Sequence, residues 1–296
     1  MTAHGAHGAD PLPWTAAAVV LLLAVPYCWA ATRTTDWSRR RTVLWLSGCA
    51  TAALALSPLA AGPEPVAHMA RHLLLGMFAP IGLVLGAPVT LLLRTLSVPA
   101  ARKATRLLRR RAVRCLGHPF TAVLLSVGGL YAVMLTPLHE AAVRHPLLHG
   151  LLLVHYLASG YLFTWSIIGP DPAPHRPGPA VRVAALAVAV AAHAFLAKYL
   201  YAHALPAGHD ASSARAAAQL MYYGGDAAEL IVAAVLFGAL YRKHLSSVEP
   251  GQDGYTVGGS AELRQRHRKE RELRCLKCDL LRTALPRQAD ERPSRS

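Results

Sequence analysis

Two histidines four positions apart are the residues of this chain best suited to chemistry. They stand in the segment His68-Met69-Ala70-Arg71-His72. In a helix, residues i and i+4 share one face, so the two imidazoles would lie about 6 Å apart along the axis, with the Met69 thioether beside them. Imidazole with thioether suits copper, and the thioether favours the cuprous state. A histidine near a membrane surface can also simply hydrogen-bond a headgroup or a carbonyl, so the spacing alone leaves both interpretations open.

Other polar side chains occur in later apolar segments, at depths in the membrane similar to that of His72. Counting 1.5 Å per residue from the outer helix ends places them at about 8 to 18 Å, with His68 and His149 nearer the surface. Because charged groups in a bilayer cost at least ~2.5 to 3.5 kcal/mol, groups at one level should face each other. The sequence therefore predicts an outward-opening site with the metal candidates His68, Met69, His72, His149, His155 and His193. It also predicts a buried charge network of Lys198, Asp226 and Glu229, which could equally be an ion pair that only neutralises stranded charges.

Seven long apolar segments must position these residues. Each approaches the ~20 residues that a helix needs to cross a ~30 Å hydrocarbon layer, and backbone groups in lipid must close their hydrogen bonds within the helix. The sequence predicts an all-α, polytopic membrane protein with a bundle of seven transmembrane helices within residues 1–245. The predicted spans are Pro13–Ala31, Thr42–Ala60, Val66–Leu85, Pro119–Leu135, Leu147–Ile168, Ala180–His203 and Ala217–Tyr241.

Basic residues are concentrated in alternate gaps between the predicted spans. Four follow the first span and eight follow the third, and Arg176 and Arg182 lie between the fifth span and the first residues of the sixth, whereas the even-numbered gaps hold only Arg144 and Arg215. Thirteen more lie from Arg242 onward. This distribution predicts an amino terminus outside and a carboxyl terminus in the cytoplasm, with residues 246–296 as a basic tail that is partly helical or disordered. The net charge of +15 is therefore a topology signal, and no nucleic-acid partner is expected.

The cysteines and the remaining motifs add little chemistry. Cys275 and Cys278 have CxxC spacing in the tail, but one such pair without further cysteines or nearby histidines is a weak metal signal, and a chance pair is the favoured interpretation. The sequence holds no phosphate-binding GxxxxGK[ST] loop and no GxSxG nucleophile elbow. We expect no enzymatic turnover.

Four motifs resemble those of the CtaG-type cytochrome c oxidase assembly proteins. The first is the His68–His72 segment, which continues through Ala79-Pro80 to Leu85-Gly86-Ala87-Pro88. The others are Tyr161-Leu162-Phe163-Thr164-Trp165 leading into Gly169-Pro170-Asp171-Pro172, then His193-Ala194-Phe195-Leu196-Ala197-Lys198, and Met221-Tyr222-Tyr223-Gly224-Gly225-Asp226. The resemblance covers the third to seventh spans. It implies a multi-helix membrane protein that supplies copper to the oxidase, with the six metal candidates as the matching residues.

The resemblance and the residues together predict a bacterial plasma-membrane copper chaperone. It would hold copper, in the cuprous state, and help deliver it to cytochrome c oxidase, with oxidase subunits and other copper chaperones as partners. A membrane copper transporter or copper-resistance protein remains an alternative, in which the buried charges couple ion passage. A haem-binding electron-transfer protein is a second alternative, since two transmembrane histidines can ligate one haem iron.

Overall fold

The computed structural model describes residues 12–57, 60, 64–173, 176–205 and 210–248. All regular secondary structure in these residues is helical, which confirms the all-α class. The tail from residue 249 onward, with the Cys275 and Cys278 pair, lies outside the described residues. The helices are α1 (Leu12–Arg33), α2 (Arg39–Leu56), α3 (continuous through Glu64–Leu73, Leu74–Phe78 and Ala79–Leu85), α4 (Pro88–Thr95), α5 (Val98–Leu108), α6 (Arg111–Leu116), α7 (Pro119–Val123, Leu124–Gly128 and Gly129–Leu135), α8 (Leu138–Arg144), α9 (Pro146–Ile168), α10 (Pro179–His203) and α11 (Ala211–Val248).

Four helices are long and apolar enough to cross a membrane. They comprise Pro65–Leu85 of α3, all of α9 and α10, and Ala211–Leu245 of α11, while α7 is a shorter apolar helix. Large apolar side chains stay exposed along them; Leu147 is 78% exposed and Leu230 is 69% exposed. Water-facing helices would place polar residues at such positions, so these surfaces suit a hydrocarbon environment. The chain is a multi-pass membrane protein.

Two of the apolar helices, α3 and α7, contain a π-helical turn. In α3 the turn covers Leu74–Phe78, and in α7 it covers Leu124–Gly128. A π turn adds one residue to the helical repeat, so it rotates the following side chains and leaves main-chain carbonyls without their usual partner. The Leu125 carbonyl oxygen lies 3.1 Å from Nε2 of His155 on α9, so this imidazole is placed to hydrogen-bond the irregular turn of α7.

The third apolar stretch ends at a left-handed residue. Ala87 has φ 53°, and a separate helix, α4, begins at Pro88. The buried carboxylate of Asp171 accepts hydrogen bonds from the main-chain nitrogens of Val89 and Thr90 at 3.2 and 2.7 Å and from the Thr90 hydroxyl at 2.6 Å. A carboxylate satisfies the free N–H groups and the partial positive charge of a helix start. This contact joins the residues just after the motif that ends at Pro88 to the motif that runs from Gly169 to Pro172.

Two large apolar clusters fill the interior of this bundle. The first includes Met69, Leu130 and Met221, and the second includes Phe163, Ile167 and Leu236. Residues from both clusters meet at a small polar cavity between α3, α7, α9, α10 and α11. The cavity, with the buried polar side chains of His72, His193 and Glu229, therefore lies where the two apolar clusters meet.

Candidate metal-binding cavity

The cavity has a volume of about 30 Å³. That is room for an ion or for one to two water molecules. Both π turns contribute to its wall, because Gly76 and Met77 belong to the turn in α3, and Ser126 and Val127 to the turn in α7. The lining residues are His72, Gly76, Met77, Ser126, Val127, Leu130, Phe163, Thr164, Ala189, His193, Ala228, Glu229 and Val232.

Three polar side chains with metal-ligating atoms face one another in this cavity. His72, His193 and Glu229 are 4, 3 and 5% exposed. The imidazole centroids of His72 and His193 are 6.2 Å apart, and Nδ1 of His193 is 3.8 Å from Oε1 of Glu229. That last separation is too long for a direct hydrogen bond. His193 and Glu229 are therefore neighbours that do not hydrogen-bond to each other.

Five polar atoms of these three side chains are buried without a hydrogen bond. Both ring nitrogens of His72, both of His193, and Oε2 of Glu229 have no hydrogen bond among the described residues. Leaving a buried donor or acceptor unsatisfied costs about 1 to 3 kcal/mol per group, so native interiors rarely do it without a reason. A ligand held between these atoms, such as a metal ion or a water molecule, would remove that cost.

Small residues make the space that the imidazoles occupy. A Cβ at Gly225 of α11 would overlap the His193 ring, and one at Gly224 would stand 2.6 Å from Cδ1 of Leu73. On the opposite side, a Cβ at Gly76 would be 3.4 Å from the His72 ring. The Gly224-Gly225 pair of the sequence motif therefore has a packing role. It lets α11 approach α3 and α10 around the cavity.

Tyr156 lies between the cavity and the beginning of α3. Its hydroxyl is 3.2 Å from Nε2 of His68, and its ring centroid is 5.0 Å from that of His72. Beyond His68 lies His139 of α8, whose ring centroid is 4.4 Å from that of His68. Both histidines are buried. The side chains from His139 to His72 thus form a continuous row of rings.

The structure separates the predicted metal candidates into groups. It brings His72 and His193 together at the cavity and places His68 next to them through Tyr156. Met69 packs in the first apolar cluster. His149 lines a separate apolar groove of about 340 Å³ that also contains Arg71, and His155 contacts the Leu125 carbonyl. The thioether that borders the cavity is that of Met77.

The predicted charge network is divided in the same way. Glu229 lies in the cavity, whereas the exposed Lys198 ammonium stands 5.4 Å from the centroid of the Tyr222 ring. Such a cation-π contact is worth about 0.5 to 1 kcal/mol at an exposed site. Within the described part of the chain no ion pair joins Lys198 to Asp226.

Sequence reasoning missed His139, Tyr156 and Met77. His139 stands between two predicted spans, in a segment too short to be read as a membrane helix, and a count of depth from helix ends does not reach it. Tyr156 directly follows His155 and was available in the sequence, as was Met77 one turn past His72. Proximity to His72 along α3 could have identified Met77, whereas no sequence spacing connects Tyr156 of α9 to the histidines of α3.

The donors of the cavity are suited to copper in type. Two imidazoles with a nearby thioether match a soft metal, and the carboxylate can offset its charge. Within the residues that the structure describes, no three His, Cys, Asp or Glu side chains stand close enough to chelate one ion together. Cuprous copper can bind two imidazoles alone, so the His72 and His193 pair is the smallest set that fits.

The fold and the cavity define a helical, multi-pass membrane protein with a buried imidazole site. The family model of the cytochrome c oxidase caa3 assembly factor matches residues 19–243, and the chain belongs to this family. This confirms the resemblance found in the sequence motifs.

Curated mycobacterial proteins are also similar to the chain. An uncharacterized protein of Mycobacterium bovis and one of Mycobacterium tuberculosis are each 40% identical over 193 residues, and one of Mycobacterium leprae is 39% identical over 170 residues. The alignments cover 61, 61 and 54% of this chain but 29, 29 and 26% of the three relatives. The chain therefore spans less than a third of the length of these relatives. No solved structure matches the chain.

Proposed function

We propose that this protein helps assemble cytochrome c oxidase by holding cuprous copper between His72 and His193 and releasing it to an oxidase subunit. The observation that carries the proposal is the pair of buried imidazoles whose four nitrogens have no hydrogen-bond partner in the part of the chain that the structure describes. Glu229 offsets the positive charge of the ion, and Met77 supplies a soft sulfur at the wall. Copper is cargo in this function, so no catalytic turnover is involved. Other copper chaperones are its expected donors.

The surroundings of the cavity favour delivery over transport. On the side of the cavity away from His68, the buried side chains described on α3, α9, α10 and α11 include no ionisable group. An ion path through the membrane is normally lined by polar side chains or a water-filled passage.

Complementation tests the function. In a bacterium whose own family member has been deleted, the wild-type chain should restore the copper content and the activity of the oxidase. His193→Ala should restore less than about a tenth, since the loss of one of two ligands weakens binding by at least ~10-fold. His118→Ala, at an exposed histidine outside the cavity, is the matched control and should restore fully. Full restoration by His193→Ala at equal membrane abundance would contradict the proposal.

We also propose seven membrane spans in the bacterial plasma membrane. The four long apolar helices would be joined by α1, α2 and α7, with the arginine-rich α5 and α6 in the cytoplasm. Helices α5 and α6 bury no residue among those described, as expected for segments on the anionic lipid surface.

Cysteine labelling tests this topology. In a cysteine-free background, a membrane-impermeant thiol reagent added from outside should label Glu140→Cys and should leave Lys103→Cys unlabelled until the membrane is opened. Both positions are exposed in the structure, so accessibility alone does not distinguish them. Outside labelling at position 103 would overturn the orientation.

A further inference from the structure

A second pair of imidazoles lies outside the cavity. His68 of α3 and His139 of α8 are 8 and 4% exposed, and their ring centroids stand 4.4 Å apart with an interplanar angle of 79°. Helix α8 has only seven residues, Leu138–Arg144, and it buries His139 together with Ala142. Two imidazoles thus meet edge to face in the interior, at a position that apolar side chains could fill. Imidazole nitrogens are common metal ligands.

The chemistry of this pair points to a soft metal ion. The neighbouring ring is that of Tyr156, whose hydroxyl is 3.2 Å from Nε2 of His68, and the acidic residue next to His139, Glu140, has a side chain that is 63% exposed. The buried donors are therefore nitrogens without a carboxylate. Hard cations such as Mg²⁺ and Ca²⁺ take oxygen ligands, whereas cuprous copper accepts two imidazoles.

The pair is also connected to the cavity. From His68, the Tyr156 ring lies 6.0 Å away by centroids, the His72 ring lies 5.0 Å beyond it, and the His193 ring a further 6.2 Å on. We infer that His68 and His139 form an outer cuprous binding site from which copper passes to His72 and His193. The transfer is ligand exchange between imidazoles, so the ion stays cuprous and no electron moves. The inference rests on the proposed function of the inner cavity.

The number of copper ions bound per chain tests the outer site separately from the inner one. The full chain, purified in detergent, is titrated anaerobically with cuprous copper against a chromophoric chelator. The wild type should hold about two ions per chain, while His139→Ala and His193→Ala should each hold about one. The double variant should hold none. His145→Ala is the matched control, because His145 is exposed and immediately follows α8, and it should behave as wild type.

Each result decides between the two sites. Two ions in His139→Ala, or a single wild-type ion that only His193→Ala removes, would overturn the outer site and leave the proposed function intact. A wild type that binds no copper would overturn the proposed function, and the outer site with it. Helical circular dichroism and size-exclusion chromatography verify folding. If His139→Ala aggregates, His139→Gln keeps a hydrogen-bonding side chain of similar size without an imidazole and takes its place.

Discussion

Replacing His72 with alanine is expected to weaken the binding of cuprous copper at the inner cavity by at least ~10-fold, which corresponds to ~1.4 kcal/mol or more. The physical reason is that His72 supplies one of the two facing imidazoles, and the remaining His193 cannot complete a two-nitrogen site. The effect on copper should exceed the effect on folding, because the His72 side chain makes no hydrogen bond to any described residue. Anaerobic competition with a chromophoric cuprous chelator measures the affinity.

His118→Ala is the control for this measurement, since His118 is exposed and lies at the start of α7, outside the cavity lining. It should retain the wild-type affinity within about 2-fold, a difference of less than half a kcal/mol. Equal affinity in wild type and His72→Ala would remove α3 from the site. Equal losses in both variants would indicate a general effect of histidine removal, and the cavity would then have no special role.

Two of the long helices, α9 and α10, could be predicted closely because hydrocarbon thickness limits their length and prolines mark their starts, whereas α11 extends beyond its predicted span at both ends. The predicted spans Leu147–Ile168 and Ala180–His203 differ by one residue at the first position from α9 and α10, which begin at Pro146 and Pro179. Proline is favoured in the first helical turn, where its missing N–H costs nothing. The π turns could not be predicted, since they depend on packing against other helices. One example is the contact of His155 with the Leu125 carbonyl.

The position of a residue along a helix did not predict the direction in which its side chain faces. His72, His193 and Glu229 were all placed in the outer half of the predicted spans and all face the cavity. His155 has a similar depth and contacts a main-chain carbonyl of α7 instead. Counting 1.5 Å per residue gives height along a helix, whereas rotation about its axis depends on which neighbour it packs against. A π turn within the helix changes that rotation further.

Met69 is a second residue whose direction could not be predicted from its sequence position. Its sequence position beside His68 suggested a thioether ligand, and the structure places it in the first apolar cluster at 3% exposure. Met77, which lies inside the π turn of α3, borders the cavity instead. The extra residue of a π turn changes which side chains face a given direction, so the usual helical spacing does not identify the sulfur.

Alanine at Gly160 is expected to destabilise the protein by at least the upper part of the ~1 to 3 kcal/mol range that overpacking costs. A Cβ at this position of α9 would overlap the main-chain carbonyl oxygen of Gly76 and lie 2.7 Å from its carbonyl carbon. Main-chain atoms of a helix cannot move aside as a flexible side chain can, so α9 would have to separate from α3. Thermal unfolding in detergent and the yield of monodisperse protein measure the effect.

Gly150→Ala on the same helix is the matched control. A Cβ there would meet nothing within 4 Å, and alanine is the better helix former by about 0.8 to 1.0 kcal/mol. The same substitution, almost three turns away, should therefore leave the melting temperature unchanged or raise it slightly. Because Gly76 adjoins both the His72 ring and the Tyr156 carbonyl, Gly160→Ala should also lower copper binding in whatever protein still folds. A melting temperature equal to that of Gly150→Ala would show that α3 and α9 do not cross where the structure places them.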